Sequence, residues 1–285
     1  MKRETKRTLA AVIIIIVGVA IAAYPFVSFF LNERAQESLV DAYNRQVGSL
    51  PETKLNDEFE RARAYNDSLS GKTINDPFVA GSGRAYPNNY TDVLDINGDG
   101  MMGYLEIPVL KLKLPIYHGT TEEVLKKGVG HIAETALPIG GENTHCVLAA
   151  HRGLPSRELF TNIDKLRIGD YFNTSVLGER FYYVVDQIVT VEPKEIVSLG
   201  AEDGRDYITL ASCTPLGVNS HRLLIRGVRT DAPQQEQTAA AADRGSRGLS
   251  AYEKQLIFSA AAAVLIIALV LFFRLRRGKK KSPRG

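Results

Sequence analysis

Two long apolar runs frame the chain. Residues Leu9 to Leu31 include no charged side chain, and neither do residues Leu256 to Phe273. At about 1.5 Å rise per residue, a helix over the first run exceeds the roughly 30 Å hydrocarbon core of a bilayer. We therefore predict transmembrane helices over 9–31 and 256–273. Basic clusters lie outside both runs, so the positive-inside rule predicts two cytoplasmic termini and an extracellular segment between the spans.

Each run has an alternative interpretation. The small residues around Ala20 and Ala22, after a basic start, also fit the cleavage site of a signal peptide. The apolar run continues through Phe29 and Phe30, beyond the roughly 7 to 15 residues of a typical signal-peptide core, which favours an uncleaved anchor. The second run could be a buried helix, but the Arg/Lys block that follows it favours a span.

The region between the runs changes from helical to β-type patterning. Apolar positions recur at helical spacing over Glu33–Gly48 and Asn56–Leu69, and a Gly-, Pro- and Asn-rich loop follows from Gly71 to Gly103. Short β-type segments then alternate with turn residues, which favours a closed barrel or a sandwich. The predicted strands are Tyr104–Pro108, Leu112–Tyr117, Thr144–Ala150, Asp170–Val176, Arg180–Val191, Tyr207–Cys213 and Arg222–Arg229.

These patterns divide the chain into eight predicted segments. They are a cytoplasmic start (1–8), a span (9–31), juxtamembrane helices (32–70), a loop (71–103), a β-barrel (104–230), a linker (231–255), a second span (256–273) and a basic cytoplasmic tail (274–285).

Composition limits the function and the redox state. A chain of 285 residues with a formal charge of +3 gives no support for nucleic-acid binding. Its two cysteines, Cys146 and Cys213, could form a disulfide in an exported domain. Strand alternation turns Cys146 to the face opposite His151, so we predict two free thiols, with Cys146 buried as a small apolar residue.

Cys213 is the candidate for chemistry. It ends a predicted strand, and a Pro/Gly turn separates it from the strand that begins near His221. An isolated cysteine is more often inert than catalytic, but a neighbouring imidazolium or guanidinium promotes the reactive thiolate. Two histidines compete for the role of base: His151, where a strand gives way to a loop, and His221, in a turn. Arg222 and Arg226 share one face of the last strand.

Three stretches together resemble the sortases, specifically their class C, pilin-polymerising group in Gram-positive bacteria. The stretches are Thr-Leu-Ala-Ser-Cys ending at Cys213, His-Arg-Gly-Leu-Pro from His151, and Asn-Ser-His-Arg-Leu-Leu-Ile-Arg-Gly from Asn219. The resemblance covers about residues 70–230. It implies a mainly β fold, a closed sortase-type barrel of about eight strands with N-terminal helices and a lid loop, and the two-span layout also fits class C.

The resemblance also implies roles for individual residues. Cys213 would be the nucleophile, His151 the general acid and base, and Arg222 the group that orients the substrate and stabilises the oxyanion, with Arg226 as the alternative. Ser212 stands where the family usually has threonine, so one methyl group is lost and the hydroxyl is kept. We expect activity to survive that difference.

The implied reaction joins proteins. Cys213 would cleave an LPxTG-like sorting signal between Thr and Gly, hold the Thr carbonyl as a thioester, and pass it to a pilin lysine. The implied partners are pilin subunits and the membrane, without nucleic acid, and we expect no metal or cofactor. Two other functions stay open: a cell-wall-anchoring sortase or cysteine peptidase, and a non-catalytic membrane-tethered binding module.

A triplet ahead of the barrel, Asp76-Pro77-Phe78, resembles the class C lid. In that lid the acid meets the catalytic arginine and the aromatic ring covers the cysteine. Asp-Pro is also an ordinary turn dipeptide. With the other motifs, the lid is the favoured interpretation.

The stretch from Asp95 to Glu106 matches the spacing of an EF-hand calcium loop. An EF-hand needs a helix on both sides, whereas the residues from Tyr104 onward are typical of a strand. We therefore predict a Gly-rich turn. His118, His131 and His145 have no partner at metal-ligand spacing and are predicted to be structural.

Overall fold

The computed structural model describes residues 3–69, 76–78, 89–154, 156–198 and 200–233. The chain divides into two compact units. One unit comprises Met1–Phe30 with Gln234–Gly285, and the other comprises Leu31–Pro233. The predicted second span and basic tail lie outside the described residues.

Two α-helices precede the barrel: α1 (Arg3–Ser49) and α2 (Glu52–Asp67). The sequence predicts a span over 9–31 and a separate helix from Glu33, but the structure has one continuous helix. Among the described residues, none of the helices combines the length and the hydropathy that crossing a bilayer requires.

The C-terminal part of α1 packs against the barrel. Val40, Tyr43 and Val47 recur at helical spacing and form a buried cluster with Met101 and Tyr104. The Tyr43 hydroxyl donates a hydrogen bond to the Met102 carbonyl (3.0 Å) and accepts one from the Leu177 amide (2.9 Å). This part of the helix therefore belongs to the core of the unit Leu31–Pro233.

Eight strands close into a barrel in the order β1-β2-β3-β4-β7-β8-β6-β5, which confirms the closed barrel of about eight strands that the resemblance implies. The sequence patterns predicted seven of these strands and left their order open. The strands are β1 (Met101–Ile107), β2 (Leu112–His118), β3 (Val129–His131), β4 (Thr144–Ala149), β5 (Tyr171–Val176), β6 (Glu179–Val191), β7 (Asp206–Thr214) and β8 (His221–Thr230). Pairing is antiparallel except between β2 and β3 and between β4 and β7.

The barrel interior follows from strand alternation. On β8, Leu223 and Ile225 point into the main core, while Leu224 joins a smaller cluster on the other face. On β4, Cys146 and Leu148 are buried in the main core. The predicted burial of Cys146 is confirmed, and both cysteines are free thiols.

The sequence misses two short elements between β2 and β4. These are β3 and the helix α3 (Glu122–Lys127). A three-residue strand and a six-residue helix are too short to show a period of 2 or 3.6 residues. The structure also starts β1 three residues before the predicted Tyr104.

Three strands place the candidate residues at one rim of the barrel. β4 and β7 are parallel neighbours, so their carboxyl ends meet at the same edge. β8 pairs antiparallel with β7, so its first residues return to that edge. The predicted His151, Cys213 and Arg222 come from these three strand ends.

Candidate active site

Cys213 and Arg222 face each other across the β7–β8 pair. They are directly opposite in the strand register, and both are largely buried. Directly opposed residues on one face of an antiparallel pair have Cβ atoms about 5 Å apart. The predicted pairing of a thiol with a guanidinium is therefore built into the register of two neighbouring strands.

His151 lies two residues beyond β4, beside the end of β7. Hydrogen bonds tie its chain neighbours to the neighbours of Cys213. The Ser212 hydroxyl donates to the Ala150 carbonyl (2.9 Å), and Arg152 Nη1 donates to Thr214 Oγ1 (3.3 Å). The two residues that flank Cys213 are thus bonded to the two that flank His151, which fixes the spacing of the candidate acid/base and nucleophile.

Arg152 holds the loop in place on its other side. Its Nε donates to the Thr161 carbonyl (3.0 Å), and its Nη2 lies 2.6 Å from an Asp164 carboxylate oxygen. Only 7% of the Arg152 side chain is exposed, whereas 49% of the Asp164 side chain is, so the ion pair lies at the edge of the buried loop. No sequence motif indicated this role, although Arg152 directly follows His151.

The His151 ring contacts two side chains. His151 Nε2 lies 3.3 Å from Glu122 Oε2 in the first turn of α3, and the Phe78 ring lies 6.3 Å away between centroids. Among the described residues, no hydrogen bond joins His151 to Cys213. Glu122 is a site residue that sequence reasoning missed, because a single glutamate on a short helix carries no motif.

The Asp76-Pro77-Phe78 segment covers the site. The Asp76 carboxylate accepts hydrogen bonds from Arg222 Nε (3.0 Å) and Nη2 (2.7 Å). The Phe78 amide donates to Asp76 Oδ1, closing a tight turn. The Phe78 ring centroid lies 5.1 Å from Arg222 Cζ. The triplet predicted to form a lid thus lies on the arginine and beside His151.

This arrangement disfavours the thiolate. Burial raises the pKa of the Cys213 thiol, Arg222 opposes that rise, and the nearby Asp76 adds to it. Burial also works against the charge on Arg222, but hydrogen bonding to Asp76 and the fields of Cys213 and Asp76 leave its pKa above the ordinary value. With Asp76 bound, much of the positive field that could activate Cys213 is already neutralised.

The structure separates the alternative candidates from the site. Arg226 lies opposite Thr209, four residues along β8 from Arg222, and pairs with Asp186 (2.8 Å) and Glu202. His221 is exposed and lies opposite Thr214, with its Nδ1 2.8 Å from the Ser220 hydroxyl. Of the two arginines and two histidines considered, Arg222 and His151 are the pair beside Cys213.

The EF-hand-like stretch forms a turn into β1. The Asp95 carboxylate accepts a hydrogen bond from the Gly100 amide, and the Asp99 carboxylate accepts one from the Met101 amide (both 3.0 Å). Glu106 lies within β1 and pairs with Lys113 on β2. A strand rather than a helix follows the loop, so the helix-loop-helix geometry of an EF-hand is not formed here.

The remaining histidines hold loops to the barrel. His118 bonds to the Val93 carbonyl, His131 to Tyr90 and the Ala136 carbonyl, and His145 to Thr209 and the Gly200 carbonyl. Burial lowers the pKa of His131 to about 3 and also lowers that of His145. Both are therefore neutral at pH 7.

Together these residues form a centre suited to acyl transfer. A thiol can attack a carbonyl carbon, a guanidinium can stabilise the resulting oxyanion, and an imidazole can exchange protons with an amine. Each group arises from a different strand end of one rigid barrel.

Known proteins share this architecture. The family model of the sortase domain matches residues 105–230. A crystal structure of sortase C from Streptococcus pneumoniae is 40% identical, with a TM-score of 0.64, covering 68% of this chain and 97% of that one. The chain belongs to the sortase family, in its class C. Sortase C1 of Streptococcus agalactiae is similar at 39% identity and a TM-score of 0.65, covering 70% of this sortase and 98% of its own chain.

More distant sortases also match. Sortase A of Bacillus anthracis is 24% identical over 234 residues, covering 80% of this chain and 96% of the relative. Sortase D of Bacillus subtilis is 33% identical over 132 residues. The class C sortase described here is therefore a member of a transpeptidase family.

Proposed function

We propose that this sortase cleaves an LPxTG-like sorting signal between Thr and Gly and transfers the Thr carbonyl to a lysine of a pilin subunit. Cys213 is the nucleophile, His151 the general acid and base, and Arg222 the oxyanion-stabilising group. The observation that carries the proposal is the opposition of Cys213 and Arg222 across β7 and β8, with His151 at the end of the adjoining strand.

The reaction proceeds in two acyl-transfer steps. The Cys213 thiolate adds to the Thr carbonyl carbon, and Arg222 donates hydrogen bonds to the resulting oxyanion. His151 protonates the leaving Gly amine, the C–N bond breaks, and a thioester remains on Cys213. An incoming lysine amine then attacks the thioester, His151 accepts its proton, and Cys213 leaves as the thiolate.

Similarity to class C sortases supports a pilin acceptor. The Streptococcus pneumoniae structure is described as providing insights into "pilin substrate specificity". The Asp76–Phe78 segment, which resembles the class C lid, lies on Arg222 and beside His151 in this structure and so agrees with that class. We take this arrangement to be a resting state, in which a sorting signal must displace the Asp76–Phe78 segment to reach the site. A cell-wall-anchoring sortase or a cysteine peptidase would use the same chemistry with a different acceptor, and a non-catalytic module would need no reactive thiol.

The sequence supports a membrane location for this activity. The uncharged runs over 9–31 and 256–273, each flanked by basic residues on its outer side, favour a two-pass protein with an extracellular catalytic domain and both termini in the cytoplasm. Protease digestion of intact cells tests this topology. Residues 32–255 should be cut from outside while tags on both termini stay protected.

Product analysis tests the proposed reaction. The whole chain is incubated with a pilin bearing an LPxTG-like signal, and SDS-resistant ladders are analysed by mass spectrometry. We expect an amide bond between the Thr carboxyl and a Lys side chain. Cys213→Ala should abolish the ladders and Cys146→Ala should retain them. Ladders made by the Cys213→Ala chain would disprove the assignment, and release of free Thr carboxyl alone would favour a peptidase.

A further inference from the structure

Glu122 contacts the His151 ring, although it belongs to none of the sequence motifs described above. Its Oε2 lies 3.3 Å from His151 Nε2, and its Oε1 lies 3.1 Å from Lys126 Nζ one turn along α3. The two oxygens of one carboxylate thus have different partners. Lys126 holds one oxygen and leaves the other directed at the imidazole.

The carboxylate at this position is charged. The hydrogen bond from Lys126, and to a smaller extent the nearby His151, lower the pKa of the Glu122 carboxyl. The Glu122 side chain is 62% exposed, and that of His151 is 22% exposed. A carboxylate on one imidazole nitrogen fixes the orientation of the ring and determines which nitrogen carries the proton.

Glu122 differs from the lid in one respect: it lies on a helix, α3, that is held at both of its ends. At the start of α3, the Thr121 hydroxyl accepts a hydrogen bond from the Val124 amide. At its end, the Lys127 carbonyl accepts a hydrogen bond from Arg157. The Phe78 contact with His151 must be lost when a sorting signal enters, whereas movement of residues 76–78 does not remove α3. Glu122 therefore stays available to hold His151 during turnover.

We propose that Glu122 is a positioning residue of the acyl-transfer reaction, which accepts a hydrogen bond from His151 Nε2 and leaves Nδ1 to exchange protons with the leaving and incoming amines. This inference rests on the proposed function for its catalytic consequence. Its structural part, the orientation of the His151 ring beside Cys213, is independent of the substrate.

The test compares Glu122→Gln, which keeps the shape and removes the charge, with Glu122→Asp and with Glu123→Gln. Glu123 is an exposed neighbour on the same turn and serves as the matched control. Cleavage of an LPxTG peptide by the whole chain is measured from pH 5.5 to 9. Glu122→Gln should lower kcat about tenfold with KM within about twofold across this pH range, because a neutral amide accepts a weaker hydrogen bond from the imidazole than a carboxylate does.

Glu122→Asp should recover most of the activity, and Glu123→Gln should match the parent. A second measurement follows alkylation of Cys213 by iodoacetamide over the same pH range, with the label located by mass spectrometry. A displaced His151 ring should slow alkylation in Glu122→Gln, because a neighbouring imidazole promotes the reactive thiolate. If Glu122→Gln matches Glu123→Gln in kcat and in alkylation rate, the inference is wrong.

The two measurements separate this inference from the proposed function. If the parent chain cleaves no LPxTG peptide, the proposed substrate is wrong, and the alkylation rates still decide whether Glu122 positions His151 beside Cys213. If the peptide is cleaved but Glu122→Gln has the parental kcat and alkylation rate, the proposed function stands and the role of Glu122 is refuted.

Discussion

The Arg222 guanidinium and the Asp76 carboxylate form a bidentate ion pair in which each side chain is only 7% exposed. A buried pair of this kind is costly to break by removing one partner, because the other charge is left uncompensated. This ion pair occupies the guanidinium that is proposed to stabilise the oxyanion. Cys213, His151 and Arg222 are therefore all in place, but Asp76 neutralises the charge of Arg222.

Removing the Asp76 charge should activate the thiol. Asp76 raises the pKa of Cys213, so Asp76→Asn should lower that pKa and move thiolate formation to lower pH. Alkylation of Cys213 at pH 7 should accelerate several-fold. Asp186→Asn is the control, because Asp186 pairs with Arg226, which lies on β8 like Arg222 but away from Cys213. Equal alkylation rates in the two variants would show that Asp76 does not restrain the thiol.

Removing the Phe78 ring should also activate the thiol, because it would reduce the burial of the site. Burial is the largest cause of the raised pKa of Cys213, and the Phe78 ring is part of the cover over the adjoining Arg222 and His151. Phe78→Ala should therefore speed alkylation at pH 7. Phe160→Ala removes an aromatic ring from the main core instead and should destabilise the fold without selective exposure of the thiol. Unchanged labelling in Phe78→Ala would mean that no lid operates.

The two arginines on one face of β8 should differ in their effect on catalysis. Arg222→Ala should lower kcat for sorting-signal cleavage by about 100- to 1,000-fold, as loss of an oxyanion-stabilising group does. Arg226→Ala should change kcat by less than about threefold, since Arg226 pairs with Asp186 and Glu202. Steady-state kinetics on an LPxTG peptide measures both. An equal loss in the two variants would make the role of Arg222 structural.

The hydroxyl of Ser212 should contribute to both the stability and the activity of the protein. The buried hydroxyl donates to the Ala150 carbonyl, so Ser212→Ala should lower the free energy of unfolding by about 1 kcal/mol. It should also reduce kcat, because the bond joins the neighbours of Cys213 and His151. Urea unfolding and peptide cleavage measure the two effects. Ser212→Thr should keep activity, and Ser220→Ala, which removes an exposed hydroxyl, should change neither quantity.

Acid should destabilise the barrel through His131. Its pKa is about 3 in the folded protein and about 6.5 when unfolded, so between these values the unfolded state binds more protons. Stability therefore falls as the pH decreases from about 6.5, by up to about 1.4 kcal/mol per pH unit from this group. Urea unfolding at several pH values should show a shallower dependence in His131→Gln. His221→Gln, a change at an exposed histidine, should keep the parental slope.

Local pattern accounts for the short-range geometry of the site. Only seven residues separate Cys213 from His221, near which the next strand is predicted to begin, and a turn of that length returns the chain antiparallel. Alternation along that strand placed Arg222 and Arg226 on one face, and in the structure Leu223 and Ile225 lie on the opposite, inward face. Strand period and turn residues, which are local properties, predicted a closed barrel or a sandwich, and the resemblance to the sortases selected the barrel.

Local pattern carries no information about contacts between distant segments, so these follow only from the resemblance or from the tertiary fold. The bond from Ser212 to Ala150 joins residues 62 positions apart, and that from Arg222 to Asp76 joins residues 146 apart. Alternation cannot say which of two arginines a carboxylate will meet, and it gave no signal for Glu122 on a six-residue helix. Such contacts depend on which strands become neighbours when the barrel closes. Barrel closure is set by the burial of the whole core, so local pattern defines the chemical groups and three-dimensional packing selects which of them work together.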